Sequence, residues 1–146
     1  MGTVCSIGGR CKPQINYFIT YIYTVEANEK RVEYYVTSKG KAPFREWFAA
    51  LRDRKAQARI DARLARVQLG NLGQCEPVGE GVMELKIDYG PGYRVYFGQV
   101  STILVLLLCG GDKRTQQRDI ETARNYWADY RRRHGAQTTK LPRRPA

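Results

Sequence analysis

The residues best suited to chemistry are cations: Lys86 in VMELKID, Arg94 in YRVYF, and Lys113 with Arg114 in GGDKRT. An ammonium neutralises a phosphate as a point charge, whereas a guanidinium holds it in a planar fork. Strand alternation brings these groups together. Met83, Leu85 and Ile87 alternate with Glu84, Lys86 and Asp88, and Tyr93, Val95 and Phe97 alternate with Arg94 and Tyr96. The linking DYGPGY reads as a turn. Pairing Ile87 with Tyr93 puts both apolar sets on one face and sets Lys86 across from Arg94 and Glu84 across from Tyr96; a slip of one residue buries Arg94 beside Leu85. The run TILVLLLC, residues 102–109, is the next strand, apolar at successive positions as in a central strand covered on both faces or nearly so. Gly110 and Gly111 are then expected to act as a hinge that turns Lys113 and Arg114 back over the face bearing Lys86 and Arg94. The plainer alternative for Lys113 and Arg114 is exposed loop charge.

Other chemistries find little support. GGDKRT lacks the six-residue spacing of a phosphate loop ending in G-K-[ST]. Cys5, Cys11, Cys75 and Cys109 form no CxxC pair and the sole histidine is His134, so no metal site, redox motif or cofactor is expected. Cys109 reads as a small packed hydrophobe and the thiols as reduced and cytoplasmic.

The elements that must position the cations are legible too. Pro43 suits a first helical turn, and Phe44, Trp47, Phe48 and Leu51 follow at helical spacing. Asp53 is placed to cap a second helix with the stripe Ala56, Ile60, Leu64 and Val67, closed by Gly70 and Asn71. Beside that stripe runs Lys55, Arg59, Arg63 and Arg66, either a solvated face or a row that tracks phosphates. A last helix shows Ile120, Ala123, Trp127 and Tyr130 on one side. With a strand at RVEYYVT the order is β-α-α-β-β-β-α. This predicts an α+β domain, a small antiparallel-rich sheet with its helices packed on one face and a polar, cationic patch on the other.

The chain has 146 residues, the size of one domain, with 25 Lys+Arg against 14 Asp+Glu and a net charge of +11. Such a balance attracts polyanions, nucleic acid foremost, and an acidic protein that covers the basic surface second. Residues 1–30 carry no amphipathic period and read as an N-terminal extension. Arg10 and Lys12 precede an apolar stretch there, but Asn16, Thr20, Thr24 and three tyrosines dilute it, against a signal peptide, and it is too short to cross a bilayer. The domain is expected over 31–133 and a basic, unfolded tail over 134–146.

MELKIDYGPGYRVYF, the apolar strand and GGDKRTQQRDIETAR, in that order, resemble the RelE/ParE superfamily of toxins, specifically its HigB-like addiction-module killer branch, over about residues 31–133. The resemblance implies a RelE-like fold and a type II toxin that enters the ribosomal A site, cleaves messenger RNA there as an endoribonuclease, and is silenced by an antitoxin, a helix-turn-helix protein from the same operon. It implies no membrane. The ribose 2′-OH is then the nucleophile, which calls for a proton acceptor, cations for the phosphorane-like transition state and a donor for the leaving 5′ oxygen. By the resemblance Arg94 takes the scissile phosphate, and Lys113 or Lys86 is the base, provided that neighbouring cations favour a neutral amine. Read from their spacing rather than from the resemblance, Arg114, Arg59, Arg63 and Arg66 are the candidate nucleic-acid contacts, with a solvated face as the plainer alternative, and Tyr96 stacks a base or donates a proton unless it serves packing. The chain departs from the family in having Lys86 where arginine is usual and Gly111 where an aromatic is common. A gyrase-poisoning ParE-type toxin and a non-catalytic nucleic-acid-binding module remain the alternatives, since one fold serves several functions.

Overall fold

The elements form where local signals place them. The computed structural model describes residues 29–102 and 104–138. In chain order these are β1 (Arg31–Tyr34), α1 (Pro43–Ala50), α2 (Arg54–Gln68), β2 (Cys75–Pro77), β3 (Val82–Ile87), β4 (Tyr93–Gln99), β5 (Leu104–Asp112) and α3 (Gln116–Thr138). Pro43 opens α1, whose Phe44 is buried. The Asp53 carboxylate caps α2 by accepting from the N–H groups of Lys55 and Ala56 at 2.9 and 3.2 Å. Gly70, at φ +88°, lets the chain leave α2, with Gly70 N–H donating to Val67 O and Asn71 N–H to Arg66 O. This is the pairing of a Schellman stop, which needs a residue free to adopt the left-handed region.

The five strands order as β1-β5-β4-β3-β2, with β1 parallel to β5 and the other pairs antiparallel. The β3–β4 register is the one the alternation predicts, with Ile87 across from Tyr93, Lys86 from Arg94 and Glu84 from Tyr96. Strand β2 is an addition to the expected order. Its three residues, with glycine on both sides and a terminal proline, carry no period to read, and it forms by pairing on the β3 edge.

The sheet is covered on both faces, which corrects the expectation that the helices share one. Helices α1 and α2 pack Phe44, Ala56, Ile60 and Val67 against Leu85, Ile87, Tyr93, Val95, Phe97, Val105 and Leu107. On the opposite face α3 packs Ala123 and Trp127, with Ile120, against Tyr35, Val82, Tyr96, Leu106, Leu108 and Cys109. The reason lies in β5: its successive apolar residues need cover on both sides, and the apolar stripe of α3 is the surface left to supply it. Trp127 lies so close to Gly98 that a Cβ there would overlap the indole. The polar face survives only at one end, around the N-terminus of α3.

Gly110 and Gly111 do not form a hinge. Both lie within β5, and both are glycines because neighbours crowd them: the Trp47 ring occupies the space a Cβ would take on Gly110, and the Asp119 carboxylate that of Gly111. The chain turns instead over Asp112–Thr115, where the Asp112 carboxylate accepts from the N–H groups of Arg114 at 2.8 Å and Thr115 at 3.3 Å.

At the N-terminal boundary, Lys30 belongs to the domain: its N–H donates to Gln68 O at 2.7 Å and its Nζ to Thr102 O at 2.6 Å. Residues 1–28 lie outside the described residues. At the other boundary α3 continues past Arg133 to Thr138, so the expected tail is helical over its first residues; residues 139–146 lie outside the described set. No helix among the described residues is long and apolar enough to cross a membrane.

Candidate nucleic-acid site

The even-numbered face of the β3–β4 ladder carries a buried polar network that the sequence reading treated as surface. Glu84 is 1% exposed and Arg94 9%. Glu84 Oε2 accepts from the Tyr96 hydroxyl at 3.1 Å and from Nε2 of Gln116, the first residue of α3, at 2.8 Å. Its Oε1 stands 3.6 Å from Arg94 Nε. That is ion-pair distance without a hydrogen bond, and the buried Nε has no acceptor among the described residues. Arg94 Nη1 donates to the Tyr93 carbonyl at 3.3 Å. The guanidinium is thus oriented and charge-compensated, but its buried Nε makes no hydrogen bond, an arrangement that costs stability.

Tyr96 is fully buried, so it is not available to stack a base, which corrects that expectation. Burial, reinforced by the Glu84 carboxylate, pushes its phenol far above the ordinary tyrosine range, and it stays neutral as a donor to Glu84. Its burial follows from α3 lying across this face. Cys109 is also inert: burial, with Asp119 nearby, pushes its thiol up to about 12.

Lys113 and Arg94 come together at Gly92. A Cβ built on that glycine, at φ +80° in the β3–β4 turn, would lie 3.7 Å from Lys113 Cβ and 3.8 Å from Arg94 Nη1. Lys113 is exposed and has no ion pair or hydrogen bond among the described residues. Lys86, directly across the ladder from Arg94, is half-buried and donates to Glu76 Oε1 at 2.9 Å. Arg114 is exposed and pairs with Asp112 at 3.3 Å. Partial burial alone would raise the Asp112 carboxyl, but the hydrogen bonds and charge of Arg114, with Thr115 N–H, hold it below its usual range.

The basic row of α2 divides. Arg63 is half-buried, and its Nη2 donates to Leu72 O at 2.6 Å, fastening the loop that follows the helix. Arg59 lies over the Tyr89 ring at 4.7 Å, and Arg66 is exposed. Together with Lys86 and Asp88 these three arginines line one cleft of about 410 Å³. The row therefore is neither a plain solvated face nor three free cations. Among the described residues no group of three His, Cys, Asp or Glu is placed to hold a metal ion.

Glu84 and Gln116 are the site residues that sequence reasoning missed. The alternation does place Glu84 on the face of Lys86 and Arg94, but its burial and the approach of Gln116 depend on where α3 docks.

Fold and site together define an α+β domain with a basic, partly buried polar centre at one end of its sheet. No family model matches the chain. An uncharacterized protein of Haemophilus influenzae is 48% identical over 81 residues, spanning 56% of this chain and 82% of that relative, and the chain belongs to the family of that protein.

Proposed function

We propose that the chain is the toxin of a type II toxin–antitoxin module with a RelE-like fold, acting in the cytoplasm as a ribosome-dependent endoribonuclease. The observation that carries this reading is Arg94, a buried guanidinium with an unsatisfied Nε and with Lys113 against the same glycine. A phosphate at the exposed edge of the guanidinium, beside Lys113, would meet its outer N–H groups and the lysine charge, while Glu84 holds the buried Nε side. In the reaction the ribose 2′-OH gives its proton to a base, O2′ bonds to phosphorus and the P–O5′ bond breaks, leaving a cyclic phosphate, while the departing O5′ takes a proton from solvent water. Arg94 stabilises the charge gathering on the phosphoryl oxygens. Lys86 is engaged by Glu76, so Lys113 is assigned as the base: its amine, in the neutral form, takes the 2′-OH proton and becomes an ammonium. An antitoxin from the same operon covers this basic end.

The test is induction in cells with and without the neighbouring gene, followed by mapping of messenger 5′ ends. New ends inside translated frames, suppressed by the neighbouring gene, are expected; growth arrest with intact messages refutes cleavage and points to a gyrase-type poison. A second reading, a non-catalytic RNA-binding module, is favoured by the pairing of Arg94 with Glu84 and Lys86 with Glu76. It predicts ribosome or RNA binding with no cleaved ends at all.

A further inference from the structure

Helix α3 carries an aromatic stack that the proposed reaction does not use. Trp127, Tyr130 and His134 fall at i, i+3 and i+7 and lie nearly parallel: the Trp127 and Tyr130 centroids are 5.7 Å apart at 5°, those of Tyr130 and His134 4.2 Å apart at 21°. Exposure grows along the ladder, from Trp127 buried on Gly98, through half-buried Tyr130, to exposed His134. Packing accounts for the inner ring. It does not account for a stack that continues beyond the sheet into solvent.

These rings line a groove of about 670 Å³. Its other walls are Gln99 and Val100, where β4 ends, and Arg131 and Arg132 of α3. Val100 is an exposed apolar residue. Arg132 is paired with Asp129 at 2.7 Å, whereas Arg131 is exposed with no ion pair among the described residues. Trp127 and Tyr130 are covered by their neighbours in the stack, so the open ring face is the outer one of His134, which Tyr130 backs. With an apolar wall, a side-chain amide and cations beside it, this face can receive an unstacked base and its phosphate. An apolar protein helix would need a longer apolar stripe than Val100 and the ring edges provide, and the net charge of +11 favours an anionic polymer.

We infer that this groove binds single-stranded nucleic acid by base stacking, as a site separate from Arg94. Gln116 touches Glu84 in the network beside Arg94, and Tyr130 lies fourteen residues further along the helix, roughly 21 Å at about 1.5 Å per residue. The inference stands whether or not the chain cleaves RNA.

Fluorescence anisotropy with the full chain tests it, using labelled ten-nucleotide oligo-U, the matching oligo-dT and a blunt RNA duplex. Both single strands are expected to bind alike, since rings and cations ignore the 2′-OH. Tyr130→Ala is expected to weaken single-strand binding on the order of five-fold or more and to leave duplex binding unchanged, while Tyr130→Phe behaves as wild type. Arg131→Ala, at an exposed position, weakens the single strands and lowers the salt slope by about 0.7. Arg52→Ala, at an exposed cation between α1 and α2 on the opposite side of the sheet, leaves all three unchanged, which shows that the losses do not come from net charge alone. Three results each overturn the inference: no single-strand binding by the wild type, wild-type binding by both Tyr130→Ala and Arg131→Ala, or equal loss of duplex and single strand in Tyr130→Ala.

Discussion

Removing the Glu84 carboxylate tests whether Arg94 is held for function at the expense of stability. In Glu84→Ala the guanidinium keeps its burial and loses its counter-charge, while the Tyr96 hydroxyl and Gln116 lose their shared acceptor. Breaking a buried pair by deleting one partner costs about 3–5 kcal/mol. The Arg94 side chain keeps 11% of its surface and is partly screened, which places the loss near the lower end, about 3 kcal/mol. At about 4 °C per kcal/mol for a domain of this size, the melting temperature drops by about 12 °C. Urea unfolding followed by circular dichroism reads this as a lower midpoint at unchanged slope. The pair itself is poorly made, at 3.6 Å with an unsatisfied Nε. Replacing both members by apolar side chains, Glu84→Leu with Arg94→Met, removes the uncompensated charge but still leaves the buried Tyr96 hydroxyl without its acceptor, so it is expected to cost about 1 kcal/mol or somewhat more, clearly less than Glu84→Ala. The same double variant should produce no cleaved messages. A Glu84→Ala midpoint close to wild type, or a double variant as unstable as the single one, refutes the view that Glu84 compensates a buried Arg94.

Lys113→Ala, at an exposed turn position, is expected to change stability by no more than about 0.5 kcal/mol, yet to lower the single-turnover cleavage rate on ribosomes far more than ribosome affinity; equal losses would make Lys113 a docking residue. Gly98→Ala forces a methyl group into the Trp127 indole and should destabilise by about 1–3 kcal/mol, read as a lower unfolding midpoint with loosened Trp127 fluorescence. Stability should also fall at both pH extremes. Asp129, through the Tyr35 hydroxyl and then its arginine neighbours, and Asp112 are held below the ordinary 3.8, so their contribution is present above that pH and is lost as pH falls below it. Burial and Asp129 raise Tyr35 from 10.0 to about 12; the folded state then keeps a proton that the unfolded chain releases, and stability declines as pH climbs through that window. In Tyr35→Phe the alkaline decline should shrink, which a melting series from pH 9 to 12 measures.

Short-range patterns made much of the fold legible. The β3–β4 register follows from alternation and a glycine turn, because a one-residue slip would invert every side chain, and it places Lys86 opposite Arg94 without tertiary information. Pro43, Asp53 and Gly70 mark helix boundaries through the dihedral limits and free N–H groups of a few neighbouring residues. What no local pattern contains is which surface an amphipathic helix covers. The stripe Ile120–Ala123–Trp127 is equally apolar on either face of a sheet, and the choice rests on the sum of contacts with Leu106, Leu108 and Tyr96, residues far apart in sequence. That docking buries Tyr96, turns Glu84 from a surface carboxylate into the counter-charge of Arg94, brings Gln116 to it, and makes Gly98 and Gly111 sites of close approach rather than flexibility. The cations, their strands and their register follow from local pattern, whereas which of them are buried, paired or open depends on elements that meet only when the chain has folded.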